Sequence, residues 1–395
     1  MMSKKVLFVN DEMVTGGVSR VLNYLLQELV KQTSYEIDLL VLHKHGEMLK
    51  DVPDRVNIIA GTPFFKVIDL PLSQIIKSKN ISLLINKLYL LFLMKTGWIG
   101  RKIKCERKKM KLATYDIEIA FKEGFCTIFV ANGDSQKKVN WVHSDYKQQN
   151  SSSNHMSLMK KTLQQIDVNV AVSKVAAQSY QEVFELQDEI KVIHNIIHFD
   201  LIKEKAAQPP RKEDLTLFKN KNLTFISIGR LVKIKGYDRL VKIHGRLIDE
   251  GFEHNIVIIG NGEEEQSLKA EIKKNNCQET FKLIGYRANP FAYFKLADCF
   301  LLPSRSEGLP TVVFESLICQ IPVIATKVAG IEEQLKDSSY GLVVNNDESD
   351  FYEAMKMIIM HPEKLEKMKD KLKEYHYQNE TIITQISNLV EGDLC

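Results

Sequence analysis

The chain of 395 residues has no CxxC pair, no DxD, no apolar run close to bilayer length, and little glycine (19) or proline (10). Each gap removes a class. Low glycine and proline exclude collagenous and low-complexity chains. The six cysteines (Cys105, Cys126, Cys277, Cys299, Cys319, Cys395) lie far apart, so no spacing suits a zinc site, and reduced thiols of a cytosol are expected. The opening MMSKKVLFVNDE meets acid after a run of four apolar residues, too few for a signal peptide core. Without a run of roughly 20 apolar residues no helix should span a membrane. The expectation is a cytoplasmic protein, neither exported nor integral. Lys and Arg number 54 against 50 Asp and Glu, a net +4, too even for a nucleic-acid partner. The excess is local: positions 95–111 alone carry +7.

What is present is alternation. At about 150 residues per domain the length suggests two or three domains. Short β-branched runs at 4–10, 36–42, 56–60, 115–121, 138–143 and 167–173 alternate with helical periodicity, the pattern of parallel βαβ units. A charged stretch with Pro209 and Pro210 side by side interrupts it and reads as a linker. Strands resume at 223–229, 255–260, 281–285, 299–303 and 322–326. Two doubly wound domains are expected, with ligands at the carboxyl ends of the strands.

Four loops carry candidate chemistry. In NDEMVTGGVSRVL, Gly16 and Gly17 follow a strand and open a helix, where backbone N–H groups can approach an anion; a tight turn without a ligand explains the pair equally well. GNGEEE, from Gly260, puts acids where a dinucleotide pyrophosphate would sit and disfavours a nicotinamide site. In GRLVKIKG, Arg230 and Lys235 are two cations on one strand-end loop, suited to a diphosphate as fork and point charge, though most surface cations do nothing specific. In SRSEGLPTVVFE, Pro310 and Thr311 suit a first helical turn, leaving N–H groups at Gly308, Leu309 and Thr311 for phosphate. Glu307 precedes that turn, and Glu315 falls on an otherwise apolar helix where a carboxylate is costly without partners; pairing with a neighbouring Lys is the plain alternative. In VNWVHSDY, His143 ends a strand beside Asp145, which could be only a cap, and Glu123 ends another strand.

Together GGVSR, WVHSDY, GRLVKIKG and EGLPTVVFE, in this order, resemble the retaining glycosyltransferases of family 4, most specifically across 223–335. FKEGF and VNWVHSDY are similar to bacterial enzymes building capsule, exopolysaccharide or O-antigen units. The resemblance implies the GT-B fold, two Rossmann-like domains facing across a cleft. It divides the chain into an acceptor-side domain 1–198, a linker 199–222, and a nucleotide-sugar domain 223–376, with a helix 377–392 crossing back. It implies Arg230 and Lys235 on the donor diphosphate, Glu307 on the donor sugar and Glu315 on ribose hydroxyls. Gly308, Leu309, Pro310 and Thr311 would hold sugar and phosphate, Gly16 and Gly17 would approach the diphosphate, and His143 would contact the sugar. Tyr286 and Arg287 would meet the nucleobase, and Glu123 and Asp145 are acceptor-side candidates. The chain departs from the family's Asn-Pro-(Ile/Val)-Asp turn, with Asn195 kept but Ile196 and His198 in place of Pro and Asp.

The expected activity is transfer of a hexose or N-acetylhexosamine from a nucleotide sugar, UDP by default, to a lipid-linked or polysaccharide hydroxyl. Configuration would be retained, with no metal and no cofactor. Competing readings are a sugar-nucleotide epimerase of the same architecture and a non-catalytic nucleotide-sugar-binding subunit. Residues 81–111 join the apolar ISLLINKLYLLFLM to the +7 segment. They suit either an interfacial helix on an anionic membrane or a core helix with a solvated basic extension.

Overall fold

The structure, a computed structural model, describes residues 3–14, 16–68, 70–148, 153–218, 222–336 and 338–392. Two parallel sheets organise it. The first contains β1 (Lys5–Asn10), β2 (Glu36–Val41), β3 (Asn57–Ala60), β4 (Ile117–Ala120), β5 (Lys137–Val142), β6 (Val168–Ala171) and β7 (Lys191–Val192), ordered β3-β2-β1-β4-β5-β6-β7. The second contains β8 (Thr224–Ile228), β9 (Asn255–Ile259), β10 (Phe281–Leu283), β11 (Cys299–Leu302), β12 (Val323–Thr326) and β13 (Gly341–Val344), ordered β10-β9-β8-β11-β12-β13. Central strands such as β4 and β9 are buried along their whole length, because helices cover both faces of a parallel sheet and reward continuous apolar runs over alternation. β7 and β13 went unread in the sequence because they are short edge strands, only partly buried.

The chain forms two compact units. One runs to Ile196 and takes in the chain from Asn379; the other is Ile197–Gln378. The C-terminal helix Asn379–Glu391 packs into the first unit through Ile382, Ile383, Ile386, Leu389 and Val390. Lys137 donates to its Leu389 carbonyl at 2.6 Å. The described residues of the expected linker 199–222 are packed. They contain the helix Phe199–Ala207 and a 3-10 segment Lys212–Phe218, both within the second unit. Asp214 is 5% exposed there and is held by Arg287 at 2.7 and 2.9 Å and by the Tyr293 hydroxyl at 2.6 Å. The charged composition that suggested a linker conceals a carboxylate whose cation comes from 73 residues further on.

The second unit buries a polar chain built on two histidines. His244 and His254 are both 0% exposed, with His244 Nδ1 2.8 Å from His254 Nε2 and His244 Nε2 2.8 Å from Thr280 Oγ1. His254 Nδ1 lies 2.8 Å from the Phe252 carbonyl and must donate to it. His254 Nε2 then accepts from His244 Nδ1–H, and His244 Nε2 accepts from the Thr280 hydroxyl. One proton direction satisfies every atom, and it requires both rings neutral. Burial lowers His254 to about 4 and His244 to about 2 from an ordinary 6.5. Both shifts are downward, so the unfolded chain binds more protons below pH 6.5, and the stability held above that value is lost as pH falls toward 4. Calorimetry should show the transition of the second unit dropping between pH 7 and 5 with a slope of up to two protons. His244→Leu combined with His254→Leu should flatten that slope; an unchanged slope would show that the pair is not its source.

Candidate functional site

β8 and β11 are neighbours where the strand order of the second sheet reverses, and in open parallel sheets ligands collect at the carboxyl ends of the strands at such a point. After β8 come Arg230, a 3-10 turn Lys233–Lys235, and Gly236, which leads into the helix Tyr237–Asp249. After β11 come Pro303 to Pro310 and then the helix Thr311–Ile318. The two loops are clamped together at the Pro303 carbonyl. Gly236 has φ +72°, and a Cβ there would lie 2.0 Å from that oxygen, so only glycine allows the approach. Arg239, 4% exposed, donates from Nε to the Pro303 carbonyl at 2.7 Å and from Nη2 to the Ser304 carbonyl at 2.8 Å and Asn346 Oδ1 at 2.9 Å. Thr326 donates to the Ser304 carbonyl at 2.6 Å.

The clamp sets the charged groups. Lys235 Nζ and Ser304 Oγ both reach Glu307 Oε1 at 2.6 Å, leaving Oε2 without a partner among the described residues. Lys235 and Glu307 therefore meet each other in the ligand-free protein. Arg230 is exposed and its side chain has no partner among the described residues. Asp238, in the first turn of the helix Tyr237–Asp249, pairs with Arg305 at 2.7 and 2.9 Å and with Lys233 at 2.7 Å. Burial opposes ionisation of Asp238, but those two cations hold its carboxyl well below the usual range. Pro310 occupies the cap position of the helix Thr311–Ile318 and no side chain caps that end; the Val313 N–H closes on the Pro310 carbonyl at 3.1 Å, and the N–H groups of Thr311 and Val312 are left as donors for an anion. Gln334 fixes the turn by donating to the Pro310 carbonyl at 2.9 Å. Gly330, φ +76°, lies where a Cβ would be 2.5 Å from Leu309 and 3.1 Å from the Gly308 carbonyl. Glu315, on the second turn, is 1% exposed.

Tyr286 is 55% exposed at the end of the β10 loop, its backbone N–H donating to Asn261. Arg287, expected at the nucleobase, has its guanidinium committed to Asp214 and the Tyr293 hydroxyl. The structure assigns it to holding the 3-10 segment Lys212–Phe218. Arg239, Ser304, Thr326, Gly330, Gln334 and Asn346 were missed in the sequence. Only Gly330, in VAGIEE after a strand, carried a local signal.

In the first unit the order reverses between β1 and β4. Gly17 opens the helix Gly17–Gln32, and Gly16 before it is extended at φ 178°. A Cβ on Gly17 would meet nothing within 4 Å and one on Gly16 only the Val14 carbonyl at 4.0 Å, so no tight turn demands either glycine. Glu123 after β4 accepts the His143 backbone N–H at 3.1 Å, tying together the loops after β4 and β5. The His143 ring lies 4.9 Å from Phe121. Burial lowers its pKa to about 4, so it is neutral at pH 7, and Nε2 has no hydrogen-bond partner among the described residues. Asp145 accepts the Lys147 N–H at 3.0 Å, the local turn cap that its position allowed. Asp11 after β1 pairs with Lys122 after β4, a contact no motif announced.

Residues 210–375 match the family model Glycosyl transferases group 1. This stretch resembles a group 1 glycosyltransferase domain. It contains the whole constellation from Arg230 to Glu315. An uncharacterized glycosyltransferase of Methanocaldococcus jannaschii is 33% identical over 141 residues, 36% of this chain and 34% of that one. The N-acetylgalactosamine-N,N'-diacetylbacillosaminyl-diphospho-undecaprenol 4-alpha-N-acetylgalactosaminyltransferase of Campylobacter jejuni is 31% identical over 171 residues, 43% of this chain and 44% of that one. The chain thus spans less than half the length of these curated relatives. HepE of Anabaena, solved in complex with UDP and glucose, superposes with a TM-score of 0.73 at 15% identity over 98% of this chain and 100% of its own. At that identity the likeness shows the fold, the GT-B architecture of two Rossmann-like domains.

The Arg239 clamp can be tested on stability. Arg239→Met keeps the apolar stem but leaves the Pro303 and Ser304 carbonyls without their donor. It should cost roughly 3 kcal/mol in denaturant unfolding, whereas Arg230→Met, at an exposed position, should cost less than about 0.5 kcal/mol. Equal costs would show that the clamp is not what holds the loops after β8 and β11.

Proposed function

We propose that the protein is a glycosyltransferase that moves a hexose or N-acetylhexosamine from a nucleotide sugar to a hydroxyl of a lipid-linked or polysaccharide acceptor in bacterial cell-surface glycan synthesis. The observation that carries this reading is the juxtaposition, at the carboxyl ends of β8 and β11, of Lys235, Glu307 and an uncapped helix end. Three kinds of group meet at one crevice: a cation for phosphate, a carboxylate for sugar hydroxyls, and N–H donors for an oxyanion.

Breaking the anomeric C–O bond leaves negative charge on the departing diphosphate, so fixed donors aimed at that charge lower the barrier. Arg230 supplies an uncommitted guanidinium and Lys235 an ammonium already held within 2.6 Å of Glu307. The first-turn N–H groups of the helix Thr311–Ile318 supply the rest, and in this reading no metal is required. Glu307 keeps Oε1 on Lys235 and Ser304 and offers Oε2 to a sugar hydroxyl, where its charge also favours the positive character that develops at the anomeric carbon. Glu315 takes the ribose hydroxyls. The neutral ring of His143 suits a sugar hydroxyl and would not compete for the phosphates. UDP is the proposed nucleotide, in keeping with the UDP and glucose bound by HepE. An undecaprenol-linked acceptor is in keeping with the name of the Campylobacter relative. Retention follows if the acceptor attacks the face that the diphosphate leaves, with a departing phosphate oxygen taking its proton.

Incubation with UDP-, GDP- and ADP-sugars, with and without a lipid-linked acceptor, tests the proposal. Transfer only with acceptor is expected, surviving EDTA. Epimerised free sugar without acceptor, or binding without turnover, would replace it with another reading.

The two carboxylates should separate. Glu315→Gln should weaken the free nucleoside diphosphate by roughly 1.5–3 kcal/mol, the range for hydrogen bonds to a charged group, measured by titration calorimetry. Glu307→Gln should leave that affinity nearly unchanged and lower turnover. Equal losses of nucleotide affinity would reverse the assignment.

A further inference from the structure

The helix Ile81–Thr96 buries only Leu90 and Leu93 completely. Ile81, Ile85, Leu88, Tyr89 and Phe92 recur at helical spacing, form one stripe, and are exposed by 44% to 71%. Gly97, in the left-handed conformation, ends the helix, and Trp98 just beyond it is 56% exposed. On the preceding helix Leu72–Lys77, Ile76 is 58% exposed. Soluble monomers rarely leave so continuous an apolar surface bare. The stripe is 16 residues of helix at most, and no helix among the described residues is long and apolar enough to cross a membrane.

The next helix, Ile99–Met110, supplies the charge. From Pro71 to Lys111 the only carboxylate is Glu106, which is 1% exposed. Burial opposes its charge, but Lys102 and Lys109, each at 2.8 Å, and the Thr62 hydroxyl at 2.6 Å bring its pKa down to about 2. Arg107 is likewise spent, on the buried Glu118 at 2.6 and 2.9 Å. The remaining cations Lys95, Arg101, Lys104, Lys108 and Lys111 are exposed and pair with no carboxylate among the described residues. They adjoin the stripe, for the Arg101 guanidinium lies 5.8 Å from the Trp98 ring.

We propose that this helical hairpin is a membrane-docking surface, laying the Ile81–Phe92 stripe and Trp98 into the headgroup boundary of an anionic bilayer while the free cations meet its phosphates. An apolar face flanked by unpaired cations gains from both contacts at such a surface. A second copy of the chain fits less well. A two-fold contact would place this segment against itself, cation against cation with no exposed acid to separate them.

The test uses the full chain without donor or acceptor, so its result is independent of the transferase reading. Of the two tryptophans, Trp141 is buried, so a change in emission on adding vesicles reports Trp98. Vesicles containing phosphatidylglycerol should bind the protein and shift Trp98 emission to the blue, vesicles of phosphatidylcholine alone should bind far more weakly, and salt should weaken the interaction. Lys104→Gln with Lys108→Gln should lower affinity about fivefold per cation removed, the equivalent of about 1 kcal/mol each. Lys242→Gln with Lys273→Gln, the same charge change on the second unit, should leave it unchanged. Ile85→Ser with Phe92→Ser should abolish the blue shift with unchanged circular dichroism. Binding indifferent to salt and to these variants, or no binding at all, would overturn the proposal. So would a lipid-free dimer in sedimentation equilibrium that Ile85→Ser with Phe92→Ser dissociates.

Discussion

The Pro303 carbonyl is the point on which the candidate site of the second unit depends. It is the first oxygen beyond β11, and it is approached at once by the Cα of Gly236 and by the guanidinium of Arg239. Gly236 has no side chain and that of Arg239 is buried. They bring the loop after β8 against the loop after β11, and so put Lys235 within 2.6 Å of Glu307 across 72 residues of sequence. A parallel sheet delivers its strand ends to one edge without deciding how their loops meet. Here a single buried arginine with several acceptors makes that decision, and a buried cation is tolerable only when so fully satisfied.

The same rule governs the other buried polar groups. Arg107 with Glu118, Asp214 with Arg287, and the chain Thr280, His244, His254 each close on themselves. Such closure sorts the charged residues into those that hold the fold and those left over. In the basic segment the sorting reduces a run of eight cations to the few on one surface that face no acid. In the candidate site it leaves Arg230 and the uncapped helix at Thr311 as groups with no internal task. Availability, rather than residue type, distinguishes the two sets.

The central strands were legible because continuous apolar runs leave few alternatives to a sheet covered on both faces, and β1, β4, β8 and β11 fall within the predicted spans. The edge strands β7 and β13 were not, since partial burial asks too little of their sequence. The positions of Arg230, Lys235 and Glu307 on strand-end loops, and of Glu315 on the helix that follows, were legible from the strand and helix pattern. Arg239 was not: in YDRLV it reads as one more charge on an amphipathic helix, and nothing local reveals that it lies 4% exposed. Asp145 shows the converse. Its neighbourhood to His143 suggested chemistry, and its bond to the Lys147 amide, two residues on, is a turn cap.

The sequence by itself determined the parallel α/β class, the strand-end loops and the residue types on them, because hydrophobic periodicity and turn chemistry are local properties. Tertiary structure alone decided the partners. Arg287 went to Asp214 rather than standing free for a base, Phe199–Ala207 and Lys212–Phe218 became packed structure where a linker was expected, and Lys102 and Lys109 went to Glu106 while Lys104 and Lys108 stayed exposed. A charge is spoken for by whatever the fold brings within hydrogen-bonding distance, and no local pattern in the chain records that distance.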